Sequence, residues 1–138
     1  STLWRQLSCQ IGTLAMRRRA FFRLVSPRSL WDREDEIRKL EAIFGRSLTA
    51  LPAVALQQVS ALRNFDVYDT LHTLRDLPTL VLSATDDIVC PPADGARLAS
   101  ALDTPFIEVP GGHAVVVQDA RRINQLLGDH LTRAMNLG

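Results

Sequence analysis

Between Pro78 and Met135 the chain alternates short apolar runs with helical ones, and this alternation restricts the fold more than any other feature. The run PTLVLSAT, residues 78–85, has no polar face, as expected of a strand covered by helices on both sides of a parallel sheet. DDIVCPP then reads as a loop, and ADGARLASAL as a helix with Ala96, Leu98, Ala99 and Leu102 available for burial. TPFIEVP reads as a second strand, GGH as a loop, and DARRINQLLGDHLTRAM as a closing helix with Ile123, Leu126, Leu127 and Leu131 on one side. Strand, helix, strand, helix implies a right-handed parallel crossover and an α/β fold class. Two strands make a poor sheet by themselves, so the segment calls for more strands than it contains.

The residues before this point are helical in pattern. Leu3, Leu7, Ile11, Leu14 and Ala15 recur at helical spacing and should share one helix face. The pattern breaks around Ser26-Pro27. Ser29, with Asp32 three residues on, is placed to cap a second helix that carries Leu30, Ile37, Leu40 and Phe44 and stops at Gly45. A third helix is expected from near Thr49, with Pro52 in its first turn and Ala55, Val59 and Leu62 on its apolar face. The chain therefore divides into a helical segment, 1–76, and a βαβα segment, 77–138.

A formal charge of +1 over 138 residues offers no strong field for nucleic acid, and the cluster Arg17, Arg18, Arg19 and Arg23 reads as a solvated helix face. No stretch approaches the roughly 20 apolar residues of a membrane helix. Cys9 and Cys90 are too few and too far apart for a disulfide framework or a zinc site, which makes a reducing, cytoplasmic setting the expectation. The opening STLWRQLSCQ has neither an initiator Met nor a signal core and runs straight into a helical pattern, so a piece of a longer chain is expected.

In open α/β sheets the functional loops lie beyond the carboxyl ends of the strands, and here those loops carry Asp87 and His113, 26 residues apart. That spacing accommodates one loop, one helix of about three turns and a short strand. A carboxylate there can accept a hydrogen bond from one imidazole nitrogen, leaving the other free to act as a base. This is the orienting half of a nucleophile, histidine and acid arrangement, without the nucleophile. Asp86 is the better turn residue. His72 and His130 fall in helical patterns as surface or packing residues. Cys90 precedes Pro91-Pro92 and has no basic neighbour in sequence to lower its thiol pKa, so it reads as structural. Trp4, Phe21, Phe22, Trp31, Phe44 and Phe65 either line an acyl pocket or form the core of the helical segment.

These residues carry a family resemblance. LPTLVLSATDDIVCPPADGARLASAL followed by FIEVPGGHAVVVQDARRINQLLGDHL resembles the last two strands and helices of the α/β-hydrolase fold. The family's G-x-x-D-x-x-x-P pattern matches Ala84 to Pro91 with alanine for the first glycine, and its G-H pair matches Gly112-His113. The resemblance implies that Asp87 is the acid and His113 the catalytic base. It covers residues 77–134 firmly, whereas the helical segment is similar to a lid or cap only loosely. The nucleophile elbow G-x-S-x-G is absent; GRSLT, Gly45 to Thr49, follows a helix and lacks the last glycine.

The resemblance thus implies a C-terminal portion of a hydrolase that cleaves an ester, thioester, lactone or related carbonyl substrate. The nucleophile and oxyanion hole would lie upstream, and the chain alone would be inactive. Neither an organic cofactor nor a metal is implied. The expected partner is a small acyl or ester substrate, without nucleic acid or membrane, and the open strand edge should favour self-association. A non-catalytic ligand- or partner-binding module of the same fold, or an acyltransferase, stays open as an alternative.

Overall fold

Two four-residue strands, β1 (Val81–Ala84) and β2 (Phe106–Val109), pair in parallel with Val81 opposite Phe106 and Ala84 opposite Val109. The computed structural model describes residues 11–45, 47–49, 54–62 and 65–136. Leu3, Trp4, Leu7, Cys9 and Pro52, all singled out above, lie outside the described residues, as do the side chains of Ala55 and Val59. Six α-helices are described: α1 (Leu14–Val25), α2 (Glu34–Phe44), α3 (Val54–Leu62), α4 (Pro92–Leu102), α5 (Val115–Gln118) and α6 (Ala120–Met135). Among the described residues no helix is long and apolar enough to cross a membrane. The architecture is mixed helix with a two-stranded parallel sheet, consistent with the α/β class read from the sequence.

The sheet is covered on both faces. Val81 packs with Ala99 and Leu102 of α4 and with Phe106, while Ala84 and Val109 pack with Val115 and Ile123 of α5 and α6. Side chains of successive strand residues point to opposite faces, so Val81 and Phe106 pack on one side and Leu82, Ala84, Ile107 and Val109 on the other, with Ser83 and Glu108 as polar members of the first face. Ala96 and Leu98 of α4 are exposed rather than buried, as are Leu127 and Leu131 of α6. Ile123 alone on α6 is fully enclosed, with Leu126 beside it.

In the helical segment, Thr13 caps α1 by accepting the Met16 N–H at 3.3 Å, and the helix ends before Pro27, which cannot continue it. Ile11 precedes the cap and is 62% exposed, and Leu14 is 66% exposed, so neither lies on a buried face. Phe22, Leu24 and Val25 are the α1 residues that enter the core. The Ser29–Asp32 cap does not form. Ser29 falls in a short 3-10 turn, Arg28–Leu30, and α2 begins after Arg33 with no side-chain cap. Glu34, Asp35 and Glu36 in its first turn supply the negative charge its free N–H groups favour. Ile37 and Leu40 are buried and Gly45, at φ 62°, terminates the helix, whereas Phe44 is partly exposed.

α1 and α2 are also linked by charge. Arg18 makes a bidentate pair with Glu41, at 2.8 and 2.6 Å, and also binds Glu34. Glu41 in turn accepts the Leu48 N–H, and Arg17 donates to the Thr49 carbonyl. The arginine cluster therefore departs from a uniformly solvated face: Arg17 and Arg18 are half-buried and hold neighbouring segments in place. The resulting core of Phe22, Leu24, Val25, Ile37, Leu40 and Leu48 also takes in Ala114, the residue after His113.

The Arg18 guanidinium holds the Glu41 carboxyl below its ordinary value of 4.5. Stability from this pair is then complete above that value and is lost as pH falls through the lowered folded-state pKa. Glu41→Gln should cost about 1–2 kcal/mol at pH 7 in urea unfolding, and the two proteins should converge in acid.

Candidate functional site

The parallel ladder does not stop at the ends of the strands. The Thr85 N–H donates to the Val109 carbonyl at 2.9 Å, and the Asp86 N–H donates to the Gly111 carbonyl at 2.8 Å. These bonds tie the loop after β1 to the loop after β2, which brings Asp87 and His113 to the same carboxyl edge. His113 Nδ1 lies 2.9 Å from Asp87 Oδ2. The Asp87 side chain is 9% exposed and the His113 ring 40% exposed, so the carboxylate is sheltered while the imidazole reaches outward.

Both carboxylate oxygens are engaged. Asp87 Oδ1 accepts the N–H groups of Val89 and Cys90, each at 2.8 Å, which leaves Oδ2 for the histidine. The turn-forming role expected of Asp86 thus belongs to Asp87: the exposed Asp86 side chain makes no hydrogen bond among the described residues, and only its backbone is used. A carboxylate fixed this way favours the tautomer with the proton on Nδ1, leaving Nε2 as an acceptor. No described residue bonds to Nε2.

Besides Asp87 and His113, a cleft of about 170 Å³ is lined by Cys90, Val109, Val115 and Ile123. Cys90 is a free thiol, and desolvation, reinforced by Asp87 and Asp94, raises its pKa, which disfavours the nucleophilic thiolate. His72 bonds through Nδ1 to the Asp69 carbonyl, and His130 through Nε2 to the Pro78 carbonyl. Neither lines the His113 cleft. Among the described residues no group of three or more His, Cys, Asp or Glu could hold a metal ion. Of the aromatic residues considered above, Phe22 is core, Phe21 packs against that core, Phe44 and Phe65 are exposed, and Trp31 lines a separate, larger cleft.

What holds the His113 loop from behind was not legible beforehand. A Cβ on Gly112 would stand 2.7 Å from the Val25 carbonyl oxygen and 2.8 Å from the Pro27 nitrogen, so backbone packs on backbone here. Two residues on, the Ala114 N–H donates to the same Val25 carbonyl at 2.8 Å. Buried Ser26 accepts the Gln118 side-chain amide through Oγ at 2.8 Å, and its carbonyl accepts the Trp31 indole N–H at 3.1 Å. The GG pair signals a tight backbone, but nothing local to it names Val25–Pro27 as the partner.

No protein-family model matches the chain. It is 36% identical over 74 residues to the protein named "Putative carbamate hydrolase RutD" of Rhizobium rhizogenes, and 34% identical over 82 residues to the protein of the same name of Acinetobacter baylyi. The matches cover 52% and 57% of this chain but 28% and 31% of those proteins, so the chain spans under a third of each relative.

Gly112→Ala should cost about 1–3 kcal/mol in denaturant unfolding and shift the His113 ring resonances, because the added methyl meets backbone that cannot yield. Gly128→Ala, where a Cβ meets nothing within 4 Å, should do neither and supplies the control.

Proposed function

We propose that this chain contributes the base and its orienting acid to an α/β-fold hydrolase acting on an ester, thioester, lactone, carbamate or related carbonyl substrate. The observation that carries the reading is the 2.9 Å contact between His113 Nδ1 and Asp87 Oδ2 at the carboxyl edge of parallel strands. The likeness to two proteins named as carbamate hydrolases supports the reaction class and adds carbamates to the candidate substrates.

In this mechanism His113 Nε2 takes the proton of a serine hydroxyl as the oxygen attacks the substrate carbonyl. The imidazolium then returns that proton to the leaving group, and water repeats the sequence to release the acyl portion. Asp87 keeps the ring in one tautomer and supports its positive charge without itself becoming protonated. No step requires a metal or organic cofactor. The serine and the oxyanion hole are assigned to polypeptide preceding Ser1 in a longer protein, with residues 1–76 as its lid and 77–138 as the end of its core. The chain alone is then inactive. It would act in the cytoplasm on small acyl substrates, without nucleic acid or membrane as partner.

In the longer protein, His113→Ala or Asp87→Asn should each lower kcat by about three to four decades while leaving the fold intact. A near-normal rate in either variant would sink the role assignment and favour a binding module instead. The chain alone should remain unlabelled by a fluorophosphonate probe. Its open β1 edge should also drive self-association, readable by sedimentation, and a compact monomer at high concentration would count against that part.

A further inference from the structure

A cleft of about 470 Å³, larger than the one at His113, is bounded by α1, Trp31 and Ile88. Its size falls in the range of small-molecule sites. Met16, Leu24, Trp31 and Ile88 give it apolar walls, and its charged lining consists of Arg19 and Arg23, with no carboxylate. The Arg23 guanidinium lies 5.6 Å from the Trp31 ring centre and pairs with Asp32 at 3.3 Å, where the Asp32 side chain is 93% exposed. An ion pair that open to water holds its partners weakly. Among the described residues Arg19 has no hydrogen-bond or ion-pair partner, unlike its sequence neighbour Arg18, whose guanidinium is engaged by Glu41 and Glu34.

We infer that this cleft binds a small amphipathic carboxylate, its charge held by Arg19 and Arg23 and its apolar body laid against Trp31, Met16 and Ile88. Guanidinium groups match a carboxylate in planar, charge-assisted geometry, and the indole and aliphatic walls exclude water from the remainder of the ligand. The position bears on chemistry. A second cleft, about 260 Å³, shares Arg23, Trp31 and Ile88 with the first and is also lined by Asp87. A ligand anchored at Arg19 and Arg23 therefore lies along a trough that leads to the loop of the proposed catalytic acid. If the hydrolase reading holds, the substrates carry an acid group remote from the carbonyl that is cleaved. That substrate role rests on the reading above, whereas carboxylate binding does not.

The test uses the full chain, labelled with ¹⁵N and titrated with hexanoate, hexanamide and inorganic phosphate. The indole resonance of Trp31 is assigned against Trp4→Phe. Hexanoate should shift the Trp31 indole and the Leu24 and Ile88 amides saturably. Hexanamide should bind at least tenfold more weakly, as should hexanoate to the Arg19→Gln, Arg23→Gln double variant, whose folding is checked by its remaining spectrum. Equal affinity for hexanamide would overturn the inference, as would unchanged affinity in the double variant. Phosphate binding as tightly as hexanoate would overturn it as well, by reducing the site to a patch of charge. Asp87→Asn should leave hexanoate affinity unchanged, which separates failure of this inference from failure of the catalytic assignment.

Discussion

The parallel register of β1 and β2, extended by two hydrogen bonds beyond the end of β1, governs the meeting of Asp87 and His113. With the Asp86 N–H bound to the Gly111 carbonyl, the next residue on one side is Asp87 and the second residue on the other is His113. Neither side chain has to search for its partner across a mobile loop. Backbone groups that must be satisfied in any case do the positioning, and the Asp87 carboxylate adds to it by accepting two N–H groups of its own loop. One oxygen shapes the loop and the other meets the imidazole, so local structure and chemistry share a single side chain.

The helical segment forms the wall behind this site. Arg18 and its two glutamates hold α1 against α2, and the end of α1 offers the Val25 carbonyl to the Ala114 N–H. Ala114 is buried in the helical core, so the residue next to His113 belongs to that core as much as to the sheet. The missing side chain of Gly112 permits the approach, and Ser26, with its carbonyl and hydroxyl both engaged, holds it.

The strands and the Asp87–His113 meeting were legible because their signals are local or nearly so. A run apolar on both faces, proline and glycine at its borders, and one helix-length spacing suffice to place two loops at one edge. Sequence and structure part where a residue's spacing fits more than one local arrangement. Asp32 has the spacing of a helix cap after Ser29, yet the 3-10 turn at Arg28–Leu30 takes up Ser29 and displaces the helix start to Glu34. Asp86 and Asp87 are alike in a turn, and the ladder decides between them by using the Asp86 backbone. Leu14 has helical spacing from Ile11, but Thr13 caps the helix between them, and the core is served from its far end by Phe22, Leu24 and Val25. The docking of Gly112 on Val25–Pro27 leaves no trace at either stretch, since it depends on two backbones and on no recognisable pair of side chains.

The Ser26–Gln118 bond joins residues 92 positions apart, whereas Asp87 and His113 are separated by 26. Contacts between distant parts of a chain close large loops and slow folding, while a single crossover closes a short one. Closing the 26-residue loop therefore costs less chain entropy than closing the 92-residue one. The strand pair and its crossover can bring acid and histidine together, but the loop behind the ring gains its rigid backing only when α1 docks. Loosening of α1 alone would release that backing while the strands stayed paired, making the end of a helix remote in sequence the latch on the histidine.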